Sequence, residues 1–340
     1  MTTNPEFGQS TTGTTVAKAF SDEVRGKVIV IVGVSPQSIG ESMALALAAH
    51  DPALLVFASR TKSKMEEVSS KVKSVHGKTK IELVGVDLAS LASVREAAKT
   101  INSIVDRIDI LINNAAVVLQ RHESTQEGLE MQFGTNHIGP FLLTNLLLPK
   151  IIAAAENSAT KGSIRIINLT SQGHIISPIR FSDTNFKKRP EDLPLEERPM
   201  SRPGVSFDPP PGETYVPFVA YGQSKTANVL FSVSLTKKLA SKGIRSIATH
   251  PGSIWTDLSR NLDEKHQDLI SKTAGFWKDL DQGAATTLVA ALDPKLGADL
   301  DITYLNDCQV AQAAEHARDE KAAEGLWQLS ESIVGQEFKL

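Results

Sequence analysis

Tyr221 and Lys225 stand four residues apart in Tyr221-Gly222-Gln223-Ser224-Lys225, and the run from Thr226 to Phe231 continues as helix, so both side chains share one face. A free phenol titrates near ~10 and exchanges protons poorly at neutral pH, but an ammonium beside it favours the phenolate and draws it toward the working range. The pair is therefore suited to acid–base catalysis. Tyr and Lys also meet at this spacing by chance. The pair gains weight from three other features: a glycine-bearing loop near the N-terminus, an Asn-Asn-Ala-Ala strand end at Asn113 to Ala116, and Ser171 at the end of a later strand.

The loop is Gly33-Val34-Ser35-Pro36-Gln37-Ser38-Ile39-Gly40, between a first strand and a helix from Glu41. Such a turn sets backbone N–H groups and the positive end of a helix against a pyrophosphate, and glycines allow close approach. An ordinary strand–helix turn is the alternative. The second strand ends at Ser59-Arg60, twenty residues beyond Gly40, where a carboxylate would hold a ribose 2′-hydroxyl. Arg60, helped by Ser59 and Lys64, suits a 2′-phosphate instead and favours NADP over NAD; a solvated strand-end arginine is the plainer reading.

These residues need a scaffold of strands alternating with helices. Strands are expected at Lys27–Val32, Leu54–Ser59, Ile81–Val86, Ile108–Asn113, Ser163–Leu169, Ile244–Thr249 and Ile302–Leu305, with helical segments between them. Runs apolar on both faces indicate a parallel sheet covered on both sides. The fold class expected is α/β, a single doubly wound, seven-stranded Rossmann sheet over residues 22–340. Residues 1–21, rich in Thr and Ser, read as a disordered tail. The stretch from Gln172 to Val219 carries nine of the 16 prolines and no periodic element, so it reads as an insertion beside the substrate entrance or as an excursion without a role. Lacking a core of its own, it should tolerate shortening between about Pro190 and Pro210.

Composition narrows the function classes. With 36 basic and 39 acidic residues, a net charge of -3 and no long basic run, nucleic acid and anionic membrane are disfavoured as partners. Cys308 is the single cysteine, which fits a reducing compartment and excludes cysteine-rich zinc sites; no metal is expected. The apolar run Ile138 to Leu148 falls short of a membrane span, and no targeting segment stands at the start, so the expected location is cytoplasmic without stable membrane insertion.

Together these motifs resemble the short-chain dehydrogenase/reductase family from about Lys27 to Leu305, and within it the retinol-dehydrogenase-like and WW-domain-oxidoreductase-like members, especially fungal ones with an Asp-Cys-Gln such as Asp307-Cys308-Gln309. The resemblance implies a catalytic tetrad of Asn136, Ser171, Tyr221 and Lys225. It implies cofactor contacts from Gly33, Ser35, Ser38, Ile39 and Gly40, from Arg60 and Lys64, from Asp87 and Leu88, from Asn114 and Ala115, from Tyr221 and Lys225, and from Pro251, Ile254 and Thr256 after the sixth strand. The loop departs from the family's pattern by one extra residue and by Ser38 in place of the middle glycine; its Cβ crowds the pyrophosphate, while its hydroxyl can donate to it. In the implied roles Tyr221 donates a proton to a carbonyl oxygen that Ser171 polarises. Lys225 lowers the Tyr221 pKa and holds the ribose, and Asn136 positions a water that feeds protons to Lys225.

Trp255, Leu258, Phe276 and Trp277 lie in the region that folds over the substrate in this family; they suggest an apolar, aromatic or polycyclic carbonyl compound, with core packing as the equal alternative. His174 is a further candidate for substrate contact, or a surface residue. The expected activity is that of an NADP(H)-dependent carbonyl reductase or alcohol dehydrogenase on a small apolar substrate, with a homodimer as the candidate assembly. Two rivals stand beside it: a cofactor-sensing or scaffold protein of the same fold, and a non-redox dehydratase or epimerase using Ser171, Tyr221 and Lys225.

Overall fold

A computed structural model describes residues 1–200, 207–255 and 275–340 of the chain. Its centre is a sheet in the order β3-β2-β1-β4-β5-β6-β7-β8, formed by β1 (Val28–Val32), β2 (Leu54–Ser59), β3 (Ile81–Gly85), β4 (Ile110–Asn113), β5 (Ile164–Leu169), β6 (Ile244–His250), β7 (Tyr304–Asn306) and β8 (Gln309–Val310). Every neighbouring pair is parallel except β7 with β8.

Alternation along β1 explains the two layers of helices. Val30 and Val32 face one apolar core, and Ile29 and Ile31 face the other. The first core is closed by α5 (Leu91–Ile104), α7 (Gly139–Glu156), α8 (Pro217–Leu239) and α10 (Glu320–Val334). The second is closed by α1 (Gly13–Ala19), α3 (Ile39–Ala48), α4 (Lys62–Val75) and α9 (Leu280–Leu292); the short α2 (Ser21–Val24) adds Val24 to it, and the short α6 (Met131–Phe133) adds Phe133 to the first. Each fully buried Val or Ile of the central strand contributes about 1.5–3 kcal/mol. Met131–Glu156, which includes α7, is long and apolar enough to cross a membrane, yet 67% of its most apolar window is buried inside the protein, as in a core helix.

The structure departs from the sequence expectations at the N-terminus, at the sheet edge and at the start of α8. Residues 1–21 are folded rather than disordered: Val16 and Ala17 are buried, Thr3 bonds Asp293 through its N–H and hydroxyl, and Gln309 Nε2 donates to the Phe7 carbonyl. An eighth strand joins the sheet edge through a two-residue turn, Asp307-Cys308, with φ of 46° and 63°. Both values lie where Asn and Gly are usual, so the turn carried no sequence signal. Finally, α8 begins at Pro217, four residues before Tyr221, because proline at the first helical position starts a helix rather than breaking one.

The insertion also has a small core of its own, contrary to expectation. Phe186, Tyr215, Val219 and Ala220 cluster together, and the buried Arg180–Asp183 ion pair closes at 2.5 Å under the Phe186 ring.

Candidate active site

The order of the sheet reverses between β1 and β4, and the loops beyond the carboxyl ends of these strands form the crevice where an α/β sheet binds ligands. Gly33 has φ +94°, and a Cβ there would lie 2.6 Å from the Ala115 backbone. A Cβ on Gly40 would strike the Gly33 carbonyl, to which Asn114 Nδ2 donates at 2.6 Å. Gly33, Gly40, Asn114 and Ala115 thus form one close-packed junction under the loop, as expected of nucleotide-binding glycines.

Ser38 behaves differently from the expectation. Its hydroxyl donates to the Ser35 carbonyl at 2.6 Å and accepts from the Glu41 N–H, capping α3 instead of facing a ligand. Glu41 then takes the Gln37 N–H at 2.7 Å and pairs with Lys71 at 2.9 Å. The first-turn N–H groups of Ile39 and Gly40 lack intrahelical acceptors and remain the donors suited to a phosphate. Arg60 is exposed at the end of β2, with Lys64 on α4 beyond it. Asp87 accepts from the Ala89 N–H, and the Leu88 carbonyl packs where a Cβ on Gly139 would sit. The residues present therefore fit a nicotinamide nucleotide at the carboxyl end of β1, and no carboxylate follows β2.

Ser171 follows β5, caps a short 3-10 turn (Gln172–Ile175) and accepts from the Gly173 N–H at 3.1 Å. A Cβ on Gly173 would lie 3.1 Å from the Tyr221 ring, a tight contact that would press the ring aside by a few tenths of an ångström. Tyr221, Ser224, Lys225 and Asn228 share one face of α8. Burial pushes the Tyr221 phenol up to about 12, with a hydrogen bond to Ser171 pulling the other way. Burial drives the Lys225 ammonium down to about 7.

Burial, and not Lys225, sets the direction of the Tyr221 shift in this arrangement, so the phenol is raised where a lowering was expected. Its Nζ lies 5.7 Å from the Tyr221 ring centre and donates to the Leu169 carbonyl at 3.0 Å and to Asn228 Oδ1 at 3.3 Å. Asn136 sits in a π turn (Gly134–Ile138) running into α7. Its side chain is committed to the Val117 N–H and carbonyl and to Ser224 Oγ, and its own carbonyl accepts from Asn228 Nδ2 at 2.7 Å. All four tetrad residues are thus brought together, with Asn228 as an unforeseen fifth. The signal for it was its position one helical turn beyond Lys225.

Below the site Asn113 Nδ2 bonds Thr144 Oγ1 and Asn168 Oδ1, and Asn168 bonds Ser232 and Ser246, so a buried polar ladder ties β4 to β5, β6, α7 and α8. His174 is 2% exposed, correcting both earlier readings: its ring spans the Ser171 carbonyl and the Ala314 N–H, a structural brace rather than a substrate contact or a surface residue. Pro251 and Ile254 follow β6, and Ile254 bridges to Lys278. Trp255 and Trp277 stack at 4.6 Å with planes 10° apart, and Trp255 is 47% exposed, so this pair is no core element. Phe276 is also exposed, while Thr256 and Leu258 lie outside the described residues. A depression of about 730 Å³ lined by Ala53, Lys78, Ile104 and Arg107 lies by the amino ends of the strands, remote from this chemistry.

Residues 27–180 match the short chain dehydrogenase family. Human retinol dehydrogenase 13 is 35% identical over 92% of the chain and 86% of its own length, and the oxidoreductase fscI of Fusarium equiseti is 34% identical over 73% of the chain and 95% of its own. Among solved structures, an uncharacterised protein from Mycobacterium paratuberculosis superposes with a TM-score of 0.66 at 29% identity, covering 93% of the chain and 96% of that protein. With the family's motifs gathered at one end of a doubly wound sheet and relatives of this identity along nearly its whole length, the chain belongs to the short-chain dehydrogenase/reductase family of oxidoreductases, as a retinol-dehydrogenase-like member.

Proposed function

We propose that the protein is an NADPH-dependent carbonyl reductase or alcohol dehydrogenase acting on an apolar ketone, aldehyde or alcohol. The observation that carries this reading is the convergence of Ser171, Tyr221 and Lys225 where β5 meets α8, with the Lys225 ammonium buried and held by two acceptors. Bound NADPH supplies a hydride to the carbonyl carbon. Tyr221, a neutral phenol at physiological pH, is in the form that gives a proton to the carbonyl oxygen. Ser171 bonds the same oxygen and polarises it. Lys225 holds the ribose hydroxyls. The junction at Gly33 and Gly40, the N–H groups of Ile39 and Gly40, and Asp87, Leu88, Asn114, Ala115, Pro251 and Ile254 hold the nucleotide, with Arg60 on the 2′-phosphate.

The apolar substrate class is supported by the exposed Trp255–Trp277 stack and Phe276, and by relatives whose names make retinol their substrate. The insertion stands beside Tyr221, where the Arg180 N–H donates to Gln223 Oε1, and forms one wall of the entrance. One observation favours a binding protein without turnover: Ser38 and Glu41 turn part of the phosphate loop inward.

The test follows loss of NADPH absorbance, with NADH in parallel, across aromatic and aliphatic ketones, aldehydes and quinones. A charge-assisted contact from Arg60, about 1.5–3 kcal/mol, predicts NADPH binding roughly ten- to a hundredfold tighter than NADH. Arg60→Asp should abolish this preference. Equal affinities for the two nucleotides in the parent contradict the cofactor assignment, and tight NADPH binding without turnover favours the binding-protein reading.

A further inference from the structure

We propose that Asn228 is a positioning residue of the Ser171–Tyr221–Lys225 site, its amide bridging the Lys225 ammonium and the Asn136 main-chain carbonyl so as to fix Nζ in place. This rests on the oxidoreductase reading above. Asn228 is 4% exposed and stands one turn beyond Lys225 on α8. Its Oδ1 accepts from Lys225 Nζ at 3.3 Å and its Nδ2 donates to the Asn136 carbonyl at 2.7 Å. Only this orientation of the amide works, since the reverse would face NH₂ to an ammonium and one carbonyl oxygen to another. The π turn supplies the partner by placing the Asn136 carbonyl toward α8.

Two acceptors on different elements, the Leu169 carbonyl at the end of β5 and Asn228 on α8, therefore hold Nζ, and a third contact secures the residue's backbone, where Thr170 Oγ1 donates to the Lys225 carbonyl at 2.7 Å. An amide holds a cation as water does but does not hand protons along. The Asn228 bridge is thus a fixed strut between the Asn136 carbonyl and Nζ. The titratable groups that face Lys225 are Tyr221 on α8 and His250 at the end of β6, and His250 in turn interacts with Lys278, Asp307 and His174.

Three substitutions test the strut. Asn228→Leu keeps the volume and removes both bonds; kcat should fall about tenfold or more while the KM for the carbonyl substrate stays within about threefold. Asn228→Ala leaves room for a water, so it should recover part of that loss and acquire a solvent deuterium effect larger than the parent's. Asn228→Asp sets a carboxylate beside Nζ and should raise the Lys225 pKa, followed by NMR titration of ¹³Cε-labelled lysine, by about one unit or more. If all three variants keep the parent's kcat and Lys225 titration and differ only in thermal midpoint, Asn228 is merely structural and the proposal is overturned. Tyr221→Phe serves as the control: near-parent turnover there sinks the oxidoreductase mechanism itself, whereas loss there with parent-like Asn228 variants sinks only this inference. The lysine titration decides the strut even for a protein that turns over no substrate in the panel, an unmoved titration counting against it.

Discussion

Lys225 has opposite consequences for stability and for chemistry. Its ammonium is lowered from an ordinary 10.5 to about 7 by burial, so between these values the unfolded chain binds more protons than the folded one. Stability contributed by this group therefore rises as pH climbs from about 7 to about 10.5, and below pH 7 the burial penalty is fully present. Lys225→Met removes that penalty, on the order of a few kcal/mol, at the expense of leaving the Leu169 carbonyl unpaired. The thermal midpoint of Lys225→Met relative to the parent should be most favourable at pH 6 and lose ground by pH 9.5, while turnover is lost. A difference that is flat or grows with pH contradicts the burial of a titrating lysine. The Tyr221–Lys225 pair was legible in the sequence because a spacing of four is a local property of helices. The shift of Tyr221 was not, since burial comes from residues distant in the chain. Ser38 was misread for a related reason: whether its hydroxyl caps the helix or meets a ligand depends on the path of the loop around Gln37, whose φ is +55°.

Among the elements, the strands were legible because runs such as Val28–Val32 and Ile164–Leu169 are β-branched and buried on both faces, a pattern with few other solutions. The insertion was not, because its order comes from ion pairs and caps rather than periodicity. Glu197 accepts from the Ser182 N–H and hydroxyl, the Arg180 guanidinium donates to the Lys188 carbonyl, and the Met200 N–H donates to the Ile176 carbonyl. Pro190 and Leu193 are buried beside them. Deletion of residues 190–200 should therefore lower the thermal midpoint by several degrees rather than leave it unchanged, since buried polar groups lose partners at about 1–3 kcal/mol each. Loop closure itself changes by only about 0.6 kcal/mol per doubling of length and does not offset this loss. Circular dichroism melts of the shortened protein check the expectation; an unaltered midpoint would mean that the insertion is loosely attached after all.

At the scale of the whole molecule, the N-terminal arm acts as a strap across one side. It runs over α3 and α9, where the Thr14 N–H donates to Asp281, and its first residues reach the end of α9 at Asp293 and the edge strand at Gln309. A Thr- and Ser-rich opening reads as disorder because its apolar residues are few, and only the docking surface reveals that Phe7, Val16 and Phe20 have somewhere to go. Removing residues 2–12 takes away the burial of Phe7, about 1.5–3 kcal/mol, and several hydrogen bonds worth about 1 kcal/mol each net. The midpoint should drop by roughly 5 °C or more, with NADPH affinity retained because α1, the part of the arm that packs on α3, stays in the truncated chain. Calorimetric scans and nucleotide titrations of the truncated chain measure both.

The central claim is that this geometry transfers a proton through Tyr221 as NADPH reduces a carbonyl. Its most direct test is the rate of NADPH oxidation by Tyr221→Phe beside the parent, on the best ketone or aldehyde of the panel, with NADPH affinity measured in both. Removing one hydroxyl should cut turnover by about 10²–10⁴-fold with nucleotide affinity largely kept. Turnover by Tyr221→Phe near the parent's rate would contradict the account.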